Sequence, residues 1–270
     1  MALSLRFYRV YETGSEVDVD KLEQYLSESH SISRVRFSRV KTKSIIMEAR
    51  PLLLNLDPAR VPTEEWGDLH FSARAKIYDI GTISICLHYE RNTDERGALE
   101  RLSLHFADQR GLDSIFAGYL NTVKEIFGNS VEAEAIDPEF YEDYNLYWTS
   151  APDPDSDPVA VLMGEKIDFS PAIRNEILKN SLSYSSDDFA IVSWDTAWLC
   201  DTEDPTDLAD LIEYANAQLM QLRFYDTRLS LQMESMYEHI DSADRMSRLQ
   251  RLKKYHLIMN QLMEVHAEIT

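Results

Sequence analysis

Cysteine is almost absent from this chain. Cys86 and Cys200 are the only two in 270 residues, and neither belongs to a C-x-x-C pair. That excludes a disulfide framework and a thiolate zinc site, and it fits two free thiols in a reducing compartment. Glycine and proline are also scarce, at eight and nine, which excludes collagen-like and linker-dominated chains. Long apolar runs are missing. Ile80 to Leu87 is among the longest, far short of the roughly 18 residues that cross a bilayer. The N-terminus, MALSLRFYRVYETGSE, lacks the apolar core of a signal peptide, and Glu12 and Glu16 are foreign to a transit peptide. The expectation is a soluble, cytoplasmic protein.

Basic charge is the other shortage. Twenty-seven Lys and Arg face 47 Asp and Glu, for a net charge of −20. The deficit is local: residues 130–213 hold 3 basic and 21 acidic groups, whereas residues 1–50 hold 9 and 7. Such a segment repels phosphate backbones, so nucleic acid is not expected as a direct ligand. It would accept a basic partner. The basic cluster of the first half, Arg34, Arg36, Arg39, Lys41 and Lys43, suits an exposed strand face over Ser33–Met47.

The apolar residues that are present, 44% with Tyr, Trp and Cys counted, are patterned. Leu3, Leu5 and Phe7 alternate with Ser4, Arg6 and Tyr8, which predicts a strand over Leu3–Tyr11. Val19, Leu22 and Leu26 predict a short helix over 17–26. Residues 50–68, with three prolines, read as a loop. FSARAKIYDIGTISICLHY at 71–89 reads as two strands or one bulged strand. Helices follow over 93–106 and 111–127, with Gly128 as the stop. A strand is expected over Tyr141–Thr149, and APDPDSDP at 151–158 is the best boundary. Ser170–Pro171 opens another helix, and Phe189–Leu199 reads as one apolar strand. The fold class is α+β, with a mixed or antiparallel sheet. The domains are an α+β body over 1–150, an acidic α/β extension over 151–204 and a helical hairpin over 205–270.

The hairpin carries the clearest pattern. Leu208, Ile212, Ala215, Leu219, Leu222, Asp226, Leu229, Met233, Met236 and Ile240 step alternately by four and three. That is the spacing of a coiled-coil seam. Asp226 interrupts it, and Arg223 is within reach on the same helix, so the pair is a candidate register determinant. A turn at Asp241–Asp244 is expected to lead to a second, antiparallel helix with stripes on Leu252, Tyr255, Met259 and Leu262. The pattern has not run out at HAEIT, which suggests that the helix continues. Leu208, Ile212, Leu219, Leu222, Arg223, Asp226, Leu229, Met233 and Met236 form the candidate partner-binding surface.

Three stretches resemble a known family: YDIGTISICLHY at 78–89, SYSSDDFAIVSWDTAWLCD at 183–201 and LIEYANAQLMQLRFYDTRLSLQMESMYEHID at 211–241. They are similar to the domain-of-unknown-function family of the mitochondrial "required for meiotic nuclear division 1" protein, in particular its bacterial and archaeal relatives. The resemblance covers most of the chain after about residue 70. It implies an α+β domain, a C-terminal coiled coil and often a terminal membrane segment, which this chain lacks. It also implies large homo-oligomeric assemblies, which support organelle translation in the mitochondrial members. It assigns no catalytic residues.

No phosphate-loop, nucleophile-elbow, dinucleotide-binding or H-E-x-x-H motif occurs, and no cofactor is expected. Asp187, Asp188 and Asp195 bracket one strand and are the only candidates for a Mg²⁺ or Mn²⁺ site. The expected function is therefore a non-enzymatic assembly protein that binds a second copy or another helical protein. The alternative is a metal-dependent hydrolase using the three aspartates.

Overall fold

The computed structural model describes residues 1–26, 32–34, 50–128, 136–185, 187–203 and 205–243, with Tyr255, Met259 and Met263. The chain divides into two compact units, Met1–Met220 and Gln221–Thr270.

The first unit is built on one eight-stranded sheet. Its strands are β1 (Ala2–Glu12), β2 (Ile32–Arg34), β3 (Leu52–Thr63), β4 (Gly67–Tyr78), β5 (Thr82–Asn92), β6 (Tyr141–Thr149), β7 (Phe189–Val192) and β8 (Thr196–Cys200). They lie in the order β2-β3-β4-β5-β1-β6-β8-β7. Every neighbouring pair is antiparallel except β6 and β8. A parallel pair needs a long crossover, and here it holds α4 (Pro158–Met163), α5 (Pro171–Leu178) and β7.

β1 sits inside the sheet, and every residue from Leu3 to Glu12 is buried. Because side chains alternate across a strand, its two faces meet different environments. Leu3, Leu5, Phe7 and Tyr11 join Phe71, Ala75 and Ile77 of β4 and Ile83, Ile85 and Leu87 of β5 in the main core. Helices α1 (Val19–Leu26), α2 (Ala98–His105) and α3 (Asp113–Phe127) close it with Leu22, Leu102, Phe116 and Leu120. Phe7, Phe71 and Phe106 pack at its centre in tilted and edge-on contacts, with ring centroids 5.3–6.0 Å apart. Each such side chain contributes roughly 1.5–3 kcal/mol by burial, so this face carries most of the hydrophobic stabilisation. The other face takes Ser4, Arg6, Tyr8 and Val10, and α6 (Thr206–Ala243) begins there.

The link between α2 and α3 is held from within. Asp108 and Gln109 both adopt left-handed backbone conformations, φ 54° and 52°. The Gln109 amide donates to the Tyr8 carbonyl at 3.0 Å and to Asn145 Oδ1 at 3.1 Å, and its oxygen accepts from Arg9 Nε at 2.9 Å. The Arg9 guanidinium lies between the rings of Phe116 and Tyr141.

Several expectations are corrected. Residues 50–68 are not a loop: β3 and β4 form a long hairpin. Pro58 escapes the usual penalty because the ladder shifts register between Leu56 and Ala59. The apolar run 189–199 is two strands, with a turn at Ser193–Asp195. The helix expected from 93 starts at Ala98, after Gly97 in a left-handed conformation. α4 was not foreseen; Asp157 caps it by accepting from Val159 N at 3.1 Å. Arg174 grips both Asp157 oxygens, which holds that carboxyl below its usual range. Of the expected basic strand over 33–47, only Ser33 and Arg34 fall in the described residues, in β2. The C-terminal turn is displaced too. Asp241, Ser242 and Ala243 continue α6, and Asp244 lies outside the described residues.

Candidate functional site

The first turns of α6 lie on a layer of charged and aromatic groups. Strand register assembles it. Tyr144, Tyr8, Cys86 and Arg74 form one row across β6, β1, β5 and β4, and Val10, Ser84 and Lys76 form the next. Lys76 is 2% exposed. Its Nζ donates to Asp210 Oδ1 at 2.7 Å and Glu213 Oε2 at 2.8 Å. The two carboxylates are three positions apart, so one helix face presents both. Burial opposes the charge on Lys76, but Glu213 and Asp210 outweigh it and raise its pKa. Burial pushes the Tyr8 and Tyr78 phenols and the Cys86 thiol up, so all three stay neutral. Glu213 Oε1, Tyr8 Oη, Tyr78 Oη, Ser84 Oγ and Arg74 Nε and Nη2 have no hydrogen-bond partner among the protein groups. The layer is buried and ionic.

α6 uses a different phase on the sheet from the one its heptads suggest. Ala209, Glu213, Asn216, Ala217 and Met220 are buried, while Leu208 and Ala215 are exposed. The buried face is displaced by one residue, about 100° around the helix. Of the candidate surface, only Ile212 is buried against the sheet. Leu219 is half-buried. In the second unit the pattern is inverted. Leu222, Leu231, Met233 and Tyr237 are 66%, 62%, 49% and 59% exposed. Leu229 and Met236 are half-buried, and Arg223 and Asp226 are exposed. Tyr255, Met259 and Met263 are helical and exposed.

The aspartates of the acidic strand are not brought together. Asp187 and Asp188 precede β7, beside Cys200, and Asp195 lies in the turn at the other end of the hairpin. At about 3.3 Å per residue, four strand residues hold them too far apart to share one ion. Asp188 Oδ1 accepts from Tyr184 N at 2.7 Å and Ser185 N at 2.8 Å. Those bonds hold its carboxyl below the usual range. Burial raises the Asp195 carboxyl, helped by Asp143 and Asp108. Among the described residues, no group of three or more His, Cys, Asp or Glu has the geometry to hold a metal.

A cleft of about 430 Å³ opens where Leu182–Tyr184 and the β7–β8 hairpin meet the start of α6. Phe189, Ala190, Leu199, Pro205 and Leu208 line it, and its charged residues are Asp188, Asp201 and Asp207. Sequence reading missed both this cleft and the ionic layer. The layer did leave a signal: Arg6 and Tyr8 in β1, and Arg74 and Lys76 in β4, are polar at alternate positions in otherwise apolar strands.

These features define an α+β protein whose eight-stranded, mostly antiparallel sheet carries a long C-terminal helix. Residues 2–206 match the family described as "Uncharacterized protein MJ0711, N-terminal domain", and the chain belongs to that family. One relative is "Uncharacterized protein MJ0711" of Methanocaldococcus jannaschii, 33% identical over 104 residues. The match takes in 34% of this chain, and the chain spans 31% of that relative's length. No solved structure matches significantly. Among the described residues, no helix is long and apolar enough to cross a membrane.

Proposed function

We propose that the protein is a non-enzymatic assembly module. α6 beyond Met220 associates with a second copy of the chain, or docks a helical partner, through the seam of Leu222, Leu229, Met233 and Met236. The carrying observation is the exposure of Leu222, Met233 and Tyr237 along one side of the helix. Large apolar groups clustered on a surface mark interaction sites. Covering the exposed part of these three would contribute roughly 3–5 kcal/mol before the cost of association. The three-four spacing supports a coiled-coil partner, folded back as a hairpin or supplied by another chain. The resemblance to the "required for meiotic nuclear division 1" family supports self-assembly in particular.

Sedimentation velocity across the micromolar range tests the proposal. The parent chain should sediment as a dimer or larger species. The double variant Leu222→Glu, Met233→Glu should sediment as a monomer with unchanged far-UV circular dichroism. A parent that stays monomeric and binds no helical partner overturns it.

A further inference from the structure

We propose that the cleft between the β7–β8 hairpin and the first turn of α6 is a docking site for a short basic–apolar peptide segment of a partner protein. One bulky apolar side chain would enter the cleft, and Lys or Arg on either side would meet its rim. The site is independent of α6 beyond Met220 and goes beyond the assembly reading.

Shape and chemistry converge on that occupant. Tyr184 is fully exposed and Leu182 is 69% exposed, and both face the same cleft as Leu208. Phe189 and Leu199 supply apolar wall. A cleft of about 430 Å³ is at the lower end of the range for small ligands, which suits one or two side chains. Among the described residues the charged lining is acidic: Asp188, Asp201 and Asp207. The α6 N-terminus brings only about half a positive charge, which three carboxylates outweigh, so an anionic occupant is disfavoured. Asp188 stays ionised because backbone N–H groups of Ser185 and Tyr184 hold its pKa down. The surrounding segment, residues 130–213, carries 21 acidic and 3 basic groups, which favours approach of a cationic partner. The occupant does not add a strand at Ala190: Leu182 already exchanges both backbone hydrogen bonds with it, at 2.8 and 2.9 Å. Recognition must come through side chains.

Fluorescence anisotropy with three labelled peptides tests this. The probe is Lys-Arg-Phe-Leu-Arg-Lys. One control replaces its four basic residues with Glu, and the other replaces Phe-Leu with Gly-Ser. The basic–apolar peptide should bind, with affinity falling as salt rises, and both controls should bind at least about ten-fold more weakly. Leu182→Ser and Asp207→Asn should each weaken the probe several-fold, with unchanged far-UV circular dichroism. Leu222→Glu, Met233→Glu should leave it unchanged, which separates this site from the assembly surface. No binding by the probe, equal binding by either control, or indifference to both cleft variants overturns the proposal.

Discussion

Substituting Lys76 with methionine isolates the ionic layer beneath α6. The side chain is 2% exposed and serves two carboxylates, of which Glu213 is wholly buried. Methionine fills nearly the same space, so the change removes charge without opening a large cavity. It leaves Asp210 and Glu213 without their cation, and Glu213 Oε1 is already without a hydrogen-bond partner. Removing one member of a buried pair costs about 3–5 kcal/mol. Urea unfolding is the assay, followed by the fluorescence of Trp148 and Trp198, both buried in the same unit. With a urea slope of roughly 2–3 kcal/mol/M, the midpoint should fall by about 1–2.5 M. Adding Asp210→Leu and Glu213→Met should recover most of the loss, because an apolar layer of similar volume avoids the desolvation cost. The alkaline limb gives a second check. Lys76 has a folded pKa above its unfolded value of about 10.4. Its stabilisation is complete below that pH and is lost as pH rises through the folded value, a slope Lys76→Met should flatten. A single variant within about 1 kcal/mol of the parent would refute the reasoning.

Two further outcomes concern the turn at the end of β1. Burial pushes the Glu12 carboxyl up to about 7, so its contribution is complete below about pH 4.3 and lost as pH rises toward 7. Glu12→Gln should flatten urea stability across that window and gain ~2 kcal/mol above it; an unchanged pH profile counts against a buried, protonated Glu12. Gly81 has φ +85°, and a Cβ there would lie 2.5 Å from the Ser15 carbonyl oxygen and 3.2 Å from Glu12 Oε1. Gly81→Ala should therefore cost ~2–4 kcal/mol. Calorimetry should show a melting temperature lower by roughly 5–15 °C, and a drop under about 2 °C would contradict the packing.

What could be read from the sequence follows the strength of local signals. β1 and β6 were legible because Leu3, Leu5 and Phe7 alternate cleanly and Tyr141–Thr149 is bounded by turns. α5 was legible from Ser170 and Pro171, and Ser170 Oγ does accept from Ile173 N. β3 was illegible because its prolines read as loop, and a bulge is invisible without the partner strand. The hairpin of β7 and β8 reads as one strand in the sequence because Trp194 adds a large aromatic to the turn, where it is 80% exposed. The ionic layer depends on contacts between residues 134 and 137 positions apart, and no local pattern specifies those. The long helix was found from its heptads, but its phase on the sheet was not. The face on the sheet pairs Asp210 and Glu213 with Lys76 and buries Ala209, Ala217 and Met220, a combination that the apolar stripe beginning at Leu208 does not reveal.

That choice bears on how the helix as a whole should be understood. A surface helix normally hides its apolar stripe and shows its polar one. α6 departs from this on both sides of Met220, although Ala209, Ile212, Ala217 and Met220 are buried as expected. Before it, Asp210, Glu213 and Asn216 are buried; after it, Leu222, Leu231, Met233 and Tyr237 are exposed. Both arrangements are costly in isolation. The first is offset within the chain, because Lys76 neutralises the buried carboxylates. In the second unit Leu222, Leu231, Met233, Tyr237, Tyr255, Met259 and Met263 are all exposed. Lys76 and its two carboxylates fix the first turns of α6 on the sheet, and the assembly proposal rests on the exposed apolar groups further along the helix.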